Sequence, residues 1–242
     1  MTMAAAAATA WAGGPTLEAW AGDGDPQDGA WSVARVGGDP AARVERQGED
    51  WRAGACAVTT PLPEGYPAPT APGALELKRY PAVRRAEVSG RGALERGMNG
   101  AFFPLFWHIK RAGIAMTAPV EVDLSELSGA PEGWTMAFLY RTPELGPLGP
   151  AAGEVTVVDR EPVTVLAVGL AGSDRAEQLR RGERALLGWL EGQSRWERAG
   201  PPRVLYYNGP EVPRARRWCE VQLPVRAAAP APAAPAAQKR WF

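Results

Sequence analysis

Cysteine and histidine are almost absent: the 242 residues carry Cys56, Cys219 and a lone His108. Without a CxxC pair there is no disulfide framework and no thiolate zinc site, so both thiols are expected free and reduced. Net charge is lacking too, since 27 Lys and Arg cancel 27 Asp and Glu. Nothing electrostatic draws such a chain to nucleic acid or to an anionic membrane surface. No apolar run approaches the length of a membrane span. The opening MTMAAAAATAWAGG has no basic stretch ahead of its alanines, so the cytoplasm is the expected compartment and a secretory leader the alternative. One histidine without a G-x-S-x-G turn argues against a Ser-His-Asp hydrolase, and no Walker loop or G-x-G-x-x-G opens a helix. Catalysis is therefore not expected. Strand carboxylates Glu87, Glu121 and Glu220 remain as general-base candidates, with a solvated strand face the simpler account.

What is present is a core-forming composition, 45% hydrophobic, divided by glycine and proline. Residues 1–73 read as a loop-rich arm carrying Trp11, Trp20, Trp31 and Trp51, parts of which pack on the domain that follows. The domain is expected over 74–226, as two similar units at about 74–141 and 154–226, and 227–242 form an Ala/Pro-rich tail. In the first unit, Leu75–Tyr80 and Val83–Val88 alternate as strands. Leu94, Met98, Phe102, Leu105 and Ile109 recur on one helical stripe, although Pro104 conflicts with an unbroken helix. Ile114 to Leu124 alternates as a strand, and Trp134 to Tyr140 reads as its antiparallel partner. The second unit repeats the order. Glu154–Arg160 and Val163–Leu170 are strand-like, Asp174 with Glu177 forms a capping box opening a helix through Leu179, Leu186 and Leu190, and Arg203–Tyr207 and Cys219–Val225 close it. This predicts an α+β fold: duplicated β-α-β-β units forming a twisted antiparallel, barrel-like sheet with two packed helices.

Three stretches carry a resemblance. LELKRYPAVRRAEV, FFPLFWHIKRAGIAMTAPVEV and RVLYYNGPEVPRARRWCEVQLPV resemble, in order, segments of the SOUL haem-binding protein family, with IAMTAPV the most specific. The resemblance implies the same duplicated sheet-and-helix architecture. It also implies reversible, noncovalent binding of haem or a related tetrapyrrole in a hydrophobic groove beside the first helix; no CxxCH exists to attach it.

A porphyrin needs apolar walls and cations for its propionates. Met98, Phe102, Leu105, Phe106 and Trp107 are the candidate walls, with Met116 on the neighbouring strand. Lys110 and Arg111, or Arg84 and Arg85, are candidate cations. His108 is the candidate metal ligand, and an ordinary packed ring is its alternative role. Phe103, Phe106 and Trp107 cannot all share the face of Leu105 and Ile109, and this aromatic surplus off the core stripe marks a ligand groove. Two other functions stay open: a small-molecule-binding or hydrolytic module resembling the gyrase-inhibitor-like domains, and a protein-interaction scaffold using the arm and tail. The oligomeric state is not readable from the sequence.

Overall fold

The computed structural model describes residues 33–92, 94–126, 132–172 and 175–228. Four strands come first: β1 (Val33–Gly38), β2 (Glu45–Gln47), β3 (Asp50–Ala53) and β4 (Cys56–Val58). Then follow β5 (Ala74–Tyr80), β6 (Val83–Arg91), helix α1 (Leu94–Ala112), β7 (Val120–Leu124), β8 (Gly133–Leu139) and the short β9 (Gly149–Pro150). The remainder is β10 (Thr156–Arg160), β11 (Val163–Ala171), helix α2 (Arg175–Glu191), β12 (Trp196–Arg198), β13 (Arg203–Tyr206) and β14 (Trp218–Ala227).

The chain is α+β, with one large antiparallel sheet and two helices. Eleven strands join in the order β1-β5-β11-β14-β13-β7-β8-β6-β10-β9, with β12 beside β14, while β2-β3-β4 form a separate small sheet. Among the described residues nothing pairs the β1 end with the β9 end, so the sheet is open rather than closed into a barrel.

Alternation along the strands explains the layering. Cys219, Val221, Leu223 and Val225 of β14 face the same core as Leu75 and Leu77 of β5 and Trp134, Met136 and Phe138 of β8. Both helices lie on that face, α1 over β6 and β8, α2 over β11 and β14. Helix α1 buries Met98, Leu105 and Ile109 there. It also runs through Pro104 as a single helix, because three buried anchors outweigh one missing backbone hydrogen bond. Its first turn approaches the sheet closely: a methyl group at Gly97 or Gly90 would collide with the Trp134 indole. Helix α2 does the same at Gly182, where a side chain would strike Val221.

Two expectations change. Ile114–Pro119 is not strand; β7 begins at Val120. The alternation there misleads because Ala118 packs with the opposite core from Met116 and Val120, while its N–H bonds the Pro61 carbonyl at 2.9 Å. Glu121 and Glu220 do not face water: they are 1% and 0% exposed, beneath the segment between β4 and β5. Asp174 of the capping box, and Trp11, Trp20 and Trp31, lie outside the described residues.

Candidate functional site

The middle of the sheet is the seam where β7 meets β13, with Val120 opposite Tyr206 and Val122 opposite Val204. At the Val120–Tyr206 end the strands stop and the chain turns away on both sides, leaving a space between the amino-terminal halves of the two helices. The space is a cavity of about 540 Å³. Met98, Phe102 and Phe103 of α1 line it from one side, Val120 and Met136 from the sheet, and Met116 from the segment leading into β7. Gln178 of α2 and the run from Tyr206 to Glu211, with Arg217 to Cys219, complete it.

The polar groups of this wall are mostly engaged with the protein. Thr117 Oγ1 donates to the Leu139 carbonyl at 2.6 Å, and Gln178 Nε2 to the Gly172 carbonyl at 2.8 Å. Asn208 donates through Nδ2 to Ala57 O at 2.8 Å and accepts the Trp218 N–H at 2.8 Å. Burial pushes the Cys219 thiol up to about 12, with the charge of Glu220 adding to it. Burial and Glu220 likewise raise the Tyr207 phenol well above its ordinary value, and that phenol donates to Glu220 Oε1 at 2.7 Å. Both groups are thus neutral near pH 7, and the wall offers apolar surface and thioether sulfur.

The candidate residues of α1 divide along the helix. Met98 and Phe102 line the cavity, as does Met116 from the approach to β7. Leu105 is fully buried in the core. Phe106 stacks on Phe102, ring centroids 6.1 Å apart, and Trp107 sets its edge against Phe106 at 5.6 Å. Lys110 Nζ sits 5.7 Å from the Phe106 ring centre, and Arg111 is exposed. His108 holds Tyr140 Oη at 2.8 Å through Nε2, and burial, then Arg111, lowers its pKa. From Leu105 to Arg111 none of these side chains lines the cavity.

The other candidate cations are committed elsewhere. Arg84 binds Asp159 twice, at 2.7 and 2.9 Å. Arg85 is buried and bonded to Glu87, Glu121 and Asp123. Among the described residues no group of three or more His, Cys, Asp or Glu side chains is arranged to hold a metal ion. Two aromatics of α1 are exposed: Phe103, which lines the cavity, at 62%, and Trp107, one turn further along the helix, at 54%. The residues missed in the sequence, Met136, Tyr206, Tyr207, Gln178, Arg217 and Trp218, come from strands and loops distant along the chain, and only the topology unites them.

Solved structures are similar to this one at low identity. The EcmrR C-terminal domain superposes with a TM-score of 0.52 at 18% identity, covering 63% of this chain and 96% of that one. EcmrR in an EcmrR–DNA complex gives 0.52 at 16% identity over 64% of this chain, which spans only 57% of the EcmrR length. A hydrolase from Listeria innocua gives 0.45 at 15% identity, with 63% and 91% covered. None of the curated proteins matches the chain. Residues 66–224, which contain nearly all of the cavity wall, match the SOUL heme-binding protein family, and the chain belongs to that family.

Proposed function

We propose that the chain binds haem or a related flat tetrapyrrole noncovalently in the cavity between the two helices. The observation that carries this reading is the wall itself: about 540 Å³, within the usual range for a small-molecule site, and lined by aromatic rings and thioethers. Met98, Phe102 and Phe103 would hold the ring from the helix side, Val120 and Met136 from the sheet, and Met116 from the segment leading into β7. When bound as haem, the group supplies an iron centre and the chromophore. The protein contributes apolar contact and exclusion of water. His108 takes no part in this arrangement, since it lies along α1 beyond the cavity and its Nε2 is engaged by Tyr140.

Two architectural readings belong with the proposal. The succession strand, strand, helix, strand, strand runs from β5 to β8 and again from β10 to β14, there with the short β12 added after the helix, and supports reading the domain as two equivalent halves that meet at the β7–β13 seam, with the cavity at their junction. Residues 1–73 act as an arm, 74–226 as the domain and 227–242 as a tail, and the arm's segment 59–73 covers the sheet face away from the helices. A second function, binding of another small molecule as in the gyrase-inhibitor-like domains, draws support from one feature: Glu211 stands on the cavity wall among aromatic side chains.

Titrating haemin into the full chain tests the first function. It should give a saturable Soret shift at about one equivalent, unchanged in position in a His108→Ala variant. Phe103→Ser should weaken binding roughly tenfold while leaving the folded state intact, as expected for a mostly exposed ring. A Soret response equal to that of the unfolded chain removes the tetrapyrrole reading and leaves the second.

A further inference from the structure

Among the described residues the cavity wall contains one cation, Arg217, and one carboxylate, Glu211. Their surroundings differ. Glu211 is exposed, with its carboxylate lying over Gly209. Arg217 is half-buried and clamped by its own loop: Nε donates to Val212 O at 2.9 Å and Nη2 to Pro210 O at 2.6 Å. The loop is itself pinned, since Val212 N–H bonds Gly209 O at 3.3 Å and the Arg217 carbonyl accepts the Gly172 N–H at 2.9 Å.

Among the described residues no carboxylate reaches ion-pair distance of Arg217, whereas the buried cations Lys78, Arg85 and Arg203 each have at least one such partner. A guanidinium has five N–H donors. Fixing it through Nε and Nη2 removes most of the side-chain entropy that a surface arginine loses on pairing, and leaves Nη1 for a further acceptor.

We infer that Arg217 is the specificity determinant of the cavity, selecting ligands that carry a free carboxylate over otherwise identical neutral ones. The inference rests on the binding reading above and deepens it: the preferred guest is a flat, apolar ring system bearing acidic side chains. Apolar walls supply affinity for the ring without regard to its substituents. The clamped guanidinium adds a charge-assisted hydrogen bond only when an anionic oxygen arrives at the wall. Lysine at this position could not reproduce the clamp as built, because the two carbonyls are held by two separate nitrogens of a planar fork, whereas an ammonium offers one nitrogen on a flexible stem.

The test compares protoporphyrin IX with its dimethyl ester, following Soret and tryptophan-fluorescence changes in the full-length chain and its Arg217→Met, Arg217→Gln and Arg217→Lys variants. The wild type should bind the diacid at least tenfold more tightly than the diester, the scale of a hydrogen bond to a charged group. Arg217→Met and Arg217→Gln should equalise the two ligands by weakening the diacid alone, and the unchanged diester affinity shows that the cavity still folds. Arg217→Lys should keep only part of the preference. Equal binding of both porphyrins by the wild type, or a diacid preference that survives in Arg217→Met and Arg217→Gln, overturns the inference while the binding reading stands. If the wild type takes neither porphyrin, the binding reading fails and the inference with it.

Discussion

The two faces of the large sheet are made by alternate residues of the same strands, yet they are built on opposite principles. On the helix side, Leu77, Val122, Val204 and Val221 meet Leu105 and Leu186 in an apolar core. On the other side the same strands bury Lys78, Glu121, Arg203 and Glu220. Lys78 Nζ lies 3.1 Å from Glu220 Oε1. Glu220 also accepts the Thr70 N–H at 2.6 Å and Gln222 Nε2 at 2.7 Å. Gln222 in turn accepts from Arg203, which bonds Glu121 at 3.1 Å, and Glu121 meets Arg85. The chain of ions and hydrogen bonds thus crosses β5, β14, β13, β7 and β6, including the seam beside the cavity.

The difference shows where shape is fixed and where it is adaptable. Directional bonds tolerate no slip: a one-residue shift in register would turn every charge of this belt under the helices. Apolar contacts carry no such demand, and the cavity lies mainly on that permissive side. The seam is held from behind, so the front can be shaped by methionines and aromatic rings without loss of alignment.

The largest effect that could break this comparison comes from the belt. Glu220→Leu leaves Lys78 only the longer contact to Glu76, at 3.8 Å, and orphans the Tyr207 and Thr70 donors, so urea unfolding should show a loss of about 3–5 kcal/mol. A loss below about 1 kcal/mol, ordinary for an exposed pair, would make the belt peripheral. The apolar face answers next. Leu105→Ala, at a side chain with no exposure, should cost about 2–5 kcal/mol through lost burial and the cavity left behind.

The same carboxylate gives a third test, in pH. Burial alone raises the Glu220 pKa, but Lys78, Tyr207, the Thr70 N–H and Gln222 together hold it below the ordinary value. A carboxyl lowered in the folded state stabilises it above the unfolded pKa, and that contribution disappears as pH falls through the lowered value. Acid unfolding should therefore steepen below about pH 4.5, the ordinary glutamate range. Glu220→Gln should flatten that limb in a pH series of urea midpoints, whereas Leu105→Ala should only displace the whole curve downward.

Much of the helix side was legible because it obeys periodicity. Cys219 to Val225 and Trp134 to Phe138 alternate in the sequence as they do in the core, and the α1 stripe faces inward where the spacing places it. The belt was not legible. Charges on a strand ordinarily mark a wet face, and the cover over Glu121 and Glu220 is residues 59–73, whose prolines and glycines spell loop without telling what the loop lies on. The cavity was half legible. Met98, Phe102 and Met116 belong to one continuous stretch and were found through it, while Arg217 and Tyr207 arrive about a hundred residues later, brought by the β13–β7 pairing. Lys110 and Arg111 stand near Phe102 in sequence, but two to three helical turns separate them from the cavity.

The smallest effect belongs to His108, on the helix side but beyond the cavity. Burial, then the charge of Arg111, lowers its pKa below the ordinary 6.5. The unfolded chain therefore takes up the proton first as pH falls, which makes the folded state less stable across the window between 6.5 and the lowered value. Its Nε2 can accept from the Tyr140 hydroxyl when the ring is neutral and donate to it when charged, so the hydrogen bond survives and the effect stays small. His108→Gln should abolish this shallow slope in urea midpoints measured from pH 7.5 to 5.5, and the glutamine amide can still reach Tyr140. If the slope persists in the variant, the titrating group is not on the helix face. The helix face would then add no proton uptake of its own between pH 7.5 and 5.5, and the contrast between the two faces would be sharper than the pKa of His108 implies.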